Sequence, residues 1–432
     1  MNLNRPLMPG FLKRAEHKLL LNNPLIWSTR VHLVLYYGIL FNLLLAGICF
    51  LEPSDLRFRS KSMYWVSFVI IIAIIGLTVW LIYLLRFNVF KKYGNIKPLH
   101  GLVTFLFYFI SAGMIVLSVF VYPIVECVRA NRAFSDKELV GDINTINLSL
   151  AQLNRDSLNI RKYYYSDLEF VSSYWIDEHM RKKVLGSDEI RDEILRYTPT
   201  AAELADLEKE YYALRNKYAG ADEFPYNNEV EMYAWDSPVE RVRKRYKATK
   251  MIDNIGRITE KKYSFSGREL SWKIRAFYYF TLGITLLVFC FRQTTVRTFF
   301  LSLLSGVLLG ILTVLIMAFG RAELSTVTGW MICYALVFFA GSLFTIRCNK
   351  RKALNGIFIN LFVFIIPVFP LLVVSLIYEL TKYNRYKYVG TGKSYMEEYF
   401  RYAEIGGPVL LLILLATFIH KIYRHWYSLP EN

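Results

Sequence analysis

Hydrophobic and polar positions along this chain form long alternating blocks, and eight apolar blocks are long enough to cross a lipid bilayer. A helix rises about 1.5 Å per residue, so a hydrocarbon core of roughly 30 Å needs about 20 apolar residues. The pattern therefore predicts an all-α polytopic membrane protein with about eight transmembrane helices. Numbered 1 to 8 in chain order, the predicted spans are 31–51, 64–85, 101–125, 276–291, 298–320, 326–346, 354–378 and 402–422.

The longest polar block, 126–275, lies between spans 3 and 4 and is large enough for a separate domain. Two stretches in it carry apolar residues three and four positions apart. One follows a helix-capping Ser135, and the other follows a capping box formed by Thr200 and Glu203. A third helix is predicted over 239–262, opened by a proline. We therefore expect a mostly helical soluble domain inserted between spans 3 and 4.

Composition and charge agree with a membrane protein. The chain is 54% hydrophobic and only 20% charged, with a mean hydropathy of +0.29. Its net charge is +17, yet residues 126–275 hold 26 basic and 26 acidic side chains, so the whole excess flanks the spans. Basic residues at such positions set orientation and meet anionic lipid head groups. This distribution favours the lipid bilayer as a partner and argues against nucleic acid.

The basic residues also predict an orientation. With a cytoplasmic N-terminus, the short cytoplasmic segments hold 17 Lys and Arg residues and the short outer loops hold 9. The N-terminal 30 residues contain neither an apolar h-region nor a small-residue cleavage site, so no cleaved signal peptide is predicted. The lack of targeting signals and the aromatic-rich composition favour a bacterial inner membrane. The predicted organisation is a cytoplasmic, basic amphipathic interfacial helix (1–30), spans 1 to 3 (31–125), an extracytoplasmic helical domain (126–275), spans 4 to 8 (276–422) and a cytoplasmic tail (423–432).

The sequence predicts no catalytic, cofactor or metal site. His179 lies between two carboxylates, but adjacent helix residues point in different directions and do not converge on one metal. The run GTGKS at 390–394 resembles the end of a phosphate-binding loop, yet Lys387 stands where its first glycine belongs. No span carries an ionisable residue at its centre, which disfavours a proton-driven carrier. Energy for any transport would therefore come from another polypeptide.

Three sets of residues stand out as candidate sites. Small residues recur every four positions in span 5 and predict close helix packing, within the chain or in a dimer. An amide and two prolines in span 7 predict a kink, which can serve gating or a static bundle. An aromatic, amide-rich loop in the inserted domain can contact a partner or be an ordinary loop. In order, these sets are Ser302, Gly306 and Gly310; Asn360, Pro367 and Pro370; and Tyr226, Asn227, Asn228, Tyr233 and Trp235.

These features favour a permease-like membrane subunit of a multi-component transport or export system, with no ATPase of its own. A separate ATPase or other membrane subunit would bind at the cytoplasmic face. The basic N-terminal stretch resembles the elbow helix with which membrane subunits of ABC exporters commonly begin, although eight spans around a central domain depart from their six-span plan. The alternative is a non-transporting sensor, scaffold or assembly factor whose extracytoplasmic domain binds a partner. A membrane enzyme acting on lipid is disfavoured by the scarcity of paired histidines and carboxylates.

Overall fold

The structure, a computed structural model, shows a multi-pass membrane protein. Within the residues it describes, eight helices are long and apolar enough to cross a membrane, which confirms the predicted fold class. The described residues are 9–51, 56, 62–86, 98–153, 198–219, 230–233, 243–246, 249–320, 324–347, 352–385 and 393–429.

The helices follow the predicted apolar blocks and lengthen several of them. The helix of span 4 begins well before its apolar block, at Gly267, and includes the SWKIR segment. In chain order the elements are α1 (Gly10–Asn22), α2 (Pro24–Ser28), α3 (Val31–Leu51), α4 (Ser62–Arg86), α5 (Pro98–Ala133), α6 (Asp136–Leu153), α7 (Ala201–Ala219), β1 (Val230–Tyr233), β2 (Arg243–Tyr246), α8 (Thr249–Tyr263), α9 (Gly267–Gln293), α10 (Val296–Gly320), α11 (Leu324–Arg347), α12 (Lys352–Ile365), α13 (Phe369–Arg385), α14 (Lys393–Leu414) and α15 (His420–Ser428). Spans 1 to 6 are α3, α4, α5, α9, α10 and α11; span 7 is α12 with α13, and span 8 is α14 with α15.

The chain divides into two compact units. The first comprises 1–40, 72–116 and 277–432, and the second comprises 41–71 and 117–276. The core of the first unit is aromatic and aliphatic. Trp80, Tyr108 and Phe289 are almost completely buried in it, together with Val363 and Ile422.

The second unit has its own core between α6, α7 and α8. Leu139, Ile143 and Ile146 of α6 are fully buried against Tyr211 of α7 and Met251 of α8. Burial of such side chains favours the packed state, so this cluster holds the three amphipathic helices against one another. The inserted segment therefore has the helical core that the spacing of its apolar residues predicts.

Both predicted helix caps are present. The Ser135 hydroxyl accepts a hydrogen bond from the Glu138 amide at 3.2 Å. At the start of α7 the Thr200 amide donates to the Glu203 carboxylate at 2.7 Å, and the Glu203 amide donates to the Thr200 hydroxyl at 3.4 Å. This reciprocal pair is a capping box, which satisfies amides that the helix itself leaves without a partner.

The predicted helix over 239–262 is wrong in its first part. Residues Arg243–Tyr246 form β2, which pairs antiparallel with Val230–Tyr233, and only α8 from Thr249 onward is helical. Five basic residues lie between 241 and 247. Like charges three and four residues apart destabilise a helix, and an extended strand spaces them more widely.

An ionic cluster joins α6 to α7. Lys217 donates to Glu138 at 2.7 Å and to Asp142 at 2.5 Å, and the Tyr218 hydroxyl donates to Asp142 at 2.5 Å. The hydrogen bond from Lys217 holds the pKa of Glu138 below its usual value. Burial acts to lower the pKa of Lys217, but its bonds to Asp142 and Glu138 outweigh burial and raise it. Both shifts favour the ion-paired form at neutral pH.

We expect α6 and α7 to loosen in acid. Because the pKa of Glu138 is lower in the folded chain, its stabilising contribution is complete above the unfolded value of about 4.3 and is lost as pH falls through the folded value. The pair is partly exposed, so the loss is about 0.5 kcal/mol, or roughly a twofold rise in amide exchange. Hydrogen exchange of α6 and α7 peptides between pH 6 and 3, corrected for intrinsic rates, measures it. Glu138→Gln should flatten the pH dependence, whereas Glu210→Gln on the exposed side of α7 should not; an unchanged slope in Glu138→Gln contradicts the assignment.

Candidate functional site

Span 7 is interrupted in its middle. The α-helix α12 ends at Ile365, Ile366–Val368 form a single 3₁₀ turn, and α13 resumes at Phe369. Proline has no amide hydrogen, and its ring clashes with the carbonyl four residues before it. Pro367 and Pro370 therefore lack the amide hydrogens that would bond to the preceding turn of an α-helix. The chain forms a tighter 3₁₀ turn at that point.

Span 8 is irregular too. Pro408 lies inside α14, and Leu415–Ile419 form a π-helical turn before α15. Ala403, Gly407 and Leu411, followed by Leu415 and Ile419, are buried at strict four-residue intervals. An α-helix turns slightly more than once in four residues, so such a stripe drifts around it. A π turn has more residues per turn, so four residues rotate by less than a full turn and offset this drift. The buried stripe therefore stays on the side that contacts the neighbouring helices.

The 3₁₀ turn of span 7 touches span 8 at Gly407, beside Pro408 and within α14. A Cβ atom added at Gly407 would lie 1.8 Å from the carbonyl oxygen of Pro367 and 2.8 Å from its carbonyl carbon. Only glycine permits this approach, because any other residue would overlap a backbone group that cannot rotate away. We call this arrangement the paired break: the 3₁₀ turn Ile366–Val368 of span 7 against Gly407 and Pro408 of span 8.

The paired break also concentrates backbone acceptors. Pro367, Pro370 and Pro408 have no amide hydrogen, so the usual α-helical donor is missing for the carbonyls of Val363, Ile366 and Glu404. Interrupted helices with such carbonyls are tolerated at membrane depth where protein or a water-filled path surrounds them. The Ile366 carbonyl accepts instead from the Phe369 amide within the 3₁₀ turn. In transporters, carbonyls of unwound helix segments coordinate ions and substrates.

Asn360 of α12, which precedes the paired break in the sequence, forms hydrogen bonds to three other segments. Its amide nitrogen donates to the Thr294 hydroxyl at 3.1 Å and to the Ser302 hydroxyl at 3.0 Å, and its oxygen accepts from the Tyr423 hydroxyl at 3.2 Å. Asn360 is 0% exposed, so these bonds replace the hydration that burial removes. We call these four residues the Asn360 junction; it fixes the half of span 7 that precedes the break.

A second hydrogen-bonded group lies at the ends of several helices of the first unit. Its side chains form hydrogen bonds to backbone or hydroxyl groups that are far away in the sequence. If consecutive spans cross the membrane in opposite directions, all of these segments lie on the same side of the membrane. We call it the terminal lattice. Its bonds run from Trp80 to the Thr29 carbonyl (2.9 Å), from Arg292 to the Ser28 hydroxyl (2.8 Å), from Tyr427 to the Gln293 carbonyl (2.5 Å), from Trp426 to the Lys352 carbonyl (2.8 Å) and from Lys352 to the Leu429 carbonyl (2.7 Å).

The three small residues of span 5 do not all contact a neighbouring helix. Ser302 belongs to the Asn360 junction, and a Cβ at Gly306 would make ordinary contact with Leu361 at 3.5 Å. A Cβ at Gly310 would meet no described atom within 4 Å. The first two positions thus face α12, and Gly310 does not.

The candidate partner loop falls largely outside the described residues. Tyr226, Asn227, Asn228 and Trp235 lie there, and of Tyr233 the structure gives only its backbone place at the end of β1. Sequence reasoning missed Gly407, Thr294, Tyr423 and the terminal lattice. The run Gly406-Gly407-Pro408 in an otherwise apolar block is the one local signal that could have indicated the break in span 8.

In the part of the chain that the structure describes, no three His, Cys, Asp or Glu side chains are grouped closely enough to hold a metal ion. Comparison with known protein families, with curated proteins and with solved structures found no match.

Proposed function

We propose that this chain is a permease-like membrane subunit of a multi-component transport or export system. The paired break carries the proposal. Span 7 is interrupted where it touches span 8, span 8 carries Pro408 beside that contact, and the prolines remove the usual α-helical donors of three backbone carbonyls. Discontinuous spans that meet near the middle of a bundle are typical of the substrate path in transporters.

The interruptions supply a mechanism for gating. A 3₁₀ turn and a π turn have fewer or weaker helical bonds than the α-helix around them, so bending is concentrated there. The segment of span 7 before the break is fixed by the Asn360 junction, while α13 beyond it is free of that junction. Movement of α13 and the first half of α14 about the break would open or close a path between them. Asn360, Pro367 and Pro370 then act as an anchor and two hinge residues.

Energy comes from a separate ATPase in this proposal. The terminal lattice supports it, because α2, the end of α4, the end of α9, the start of α12 and α15 are tied together at one end of the first unit. A partner that pushes on this end would move the lattice as a body and pass the displacement into the spans. The predicted cytoplasmic placement of both termini puts the lattice where ATP is present.

Site-specific photo-crosslinking tests this function in the cells that make the protein. A photoreactive residue in place of Arg424, exposed on α15, is expected to capture a nucleotide-hydrolysing subunit. The same probe at Lys209, exposed on α7, is the matched control and should capture none. Capture without ATP hydrolysis in the eluted complex, or capture of the ATPase from position 209, contradicts the proposed arrangement.

The alternative is a sensor, scaffold or assembly factor, and one observation favours it. The described residues between spans 3 and 4 form a hydrophobic core and an ionic cluster, as a binding domain would. If this is the function, the probe at Lys209 captures a specific partner that lacks ATPase activity, and the probe at Arg424 captures none.

A further inference from the structure

The N-terminal helix α1 presents a concentrated basic face. Lys13, Arg14, His17 and Lys18 recur at intervals that place them on one side of the helix. They line an open cavity of ≈ 540 Å³, which Leu21 and Asn22 complete. All six lining residues belong to α1, so the cavity is a shallow depression that is open to the surroundings along this helix.

The opposite face of α1 fixes its position. Leu12 is 6% exposed and packs on Leu33 and Tyr36 of α3, and the ring of Phe11 contacts the ring of Tyr36 with centroids 6.1 Å apart. Glu16, on the same side as Leu12, accepts from the buried Arg30 guanidinium at 2.6 Å. The one carboxylate of α1 is therefore engaged by Arg30, and the basic face carries its charge undiminished.

This packing sets the depth of the basic face relative to the bilayer. Leu33 and Tyr36 lie in the first two turns of α3, within about 8 Å of the start of span 1 at the helical rise of 1.5 Å per residue. That level is the boundary between the head groups and the hydrocarbon core, where interfacial amphipathic helices lie. Phe11 and Leu21 are 65% and 68% exposed at the two ends of the helix, where acyl chains can cover them.

We propose that the basic face of α1 binds the phosphodiester head group of an anionic phospholipid. Lys13, Arg14 and Lys18 supply the positive charge, His17 and Asn22 supply hydrogen-bonding groups, and Leu21 meets the upper part of an acyl chain. Charge and membrane depth together select an anionic lipid over a zwitterionic one. This site does not depend on what, if anything, the chain transports.

Native mass spectrometry of the full-length protein tests the proposal. Equal amounts of phosphatidylglycerol and phosphatidylcholine with the same acyl chains are added to the protein in detergent. The spectrometer then removes the detergent and shows which lipid stays bound. We expect the wild type to retain phosphatidylglycerol preferentially. Each basic side chain near a membrane surface contributes roughly a fivefold factor, so the triple variant Lys13→Gln/Arg14→Gln/Lys18→Gln should lose at least about tenfold in this retention.

A charge-matched control separates a site from general attraction. Arg86→Gln/Lys421→Gln/Arg424→Gln removes three exposed basic residues from other helices and should keep the phosphatidylglycerol preference. Equal losses in both variants, equal retention of the two lipids by the wild type, or displacement of phosphatidylglycerol by millimolar inorganic phosphate would each overturn the proposal. Gel filtration confirms that the variants are folded; if the triple variant aggregates, Lys18→Gln alone should still lower retention several-fold.

Discussion

Replacing Gly407 with alanine is expected to destabilise the folded protein by about 3 kcal/mol, near the upper end of the usual cost of overpacking. The added methyl group would lie 1.8 Å from the Pro367 carbonyl oxygen, far inside any permitted contact. Because that oxygen belongs to the backbone, no side-chain rotation relieves the overlap, and spans 7 and 8 must separate. Unfolding of the purified protein in mixed detergent and denaturant, followed by circular dichroism, measures the loss.

The neighbouring residue provides the control for this prediction. A Cβ at Gly406 would meet no described atom within 4 Å. Gly406→Ala therefore adds the same methyl group one position earlier without a clash, and the better helix propensity of alanine should leave stability unchanged or raise it by up to about 1 kcal/mol. Similar behaviour of the two variants would show that spans 7 and 8 do not approach at Gly407.

Replacing Asn360 with leucine is expected to destabilise the protein by about 2 kcal/mol. The substitution keeps the volume of the side chain but removes three hydrogen bonds, and it leaves the buried Tyr423 hydroxyl without its acceptor in the junction. Interhelical hydrogen bonds in membrane proteins average about 0.6 kcal/mol each, so three account for most of the effect. The same unfolding measurement applies.

A double-mutant cycle isolates one of these bonds. Tyr423→Phe removes the donor to Asn360 and should cost about 0.6 kcal/mol in the wild type. In the Asn360→Leu background the same change should cost almost nothing, because the bond is already gone. Additive effects of the two substitutions would mean that the residues do not interact, and the Asn360 junction would have to be abandoned.

The sequence predicts those features that depend on local composition. An apolar block of about 20 residues is long enough to cross a bilayer, so the spans follow from the length and composition of each block. Caps such as Ser135 and Thr200 act on amides two or three residues away, and both are where the sequence places them. Pro367 and Pro370 indicate an interruption of span 7, and a 3₁₀ turn lies there.

Features that depend on distant contacts could not be predicted. Gly407 is critical only because it meets Pro367, 40 residues earlier, and nothing in the local pattern identifies that partner. The strand Arg243–Tyr246 forms only by pairing with another strand, so helix propensity alone misplaced it. Arg292 has the appearance of a flanking charge in the sequence, yet it is buried and binds the Ser28 hydroxyl.

The proposed role in transport is compatible with predicted spans that have no charge at their centres. Coupling by a proton requires an ionisable group inside the bilayer, and an ATPase outside it does not. The proposed mechanism then requires a rigid region on which the ATPase acts and a flexible region at which the spans bend. The terminal lattice and the paired break are suited to these two tasks.

The most direct test of this account is the distance between α13 and α14 beside the paired break, measured by pulsed electron resonance in proteoliposomes that contain the ATPase that the proposal expects to co-purify. Spin labels replace Leu380 of α13 and Ile405 of α14, both exposed apolar residues. A reference pair at Leu304 of α10 and Leu336 of α11 reports on spans that lack a break. We predict that ATP shifts the 380–405 distance by several ångströms, on the order of one helical turn or less, and leaves the reference distance unchanged. An unaltered 380–405 distribution while the ATPase hydrolyses ATP would contradict the account.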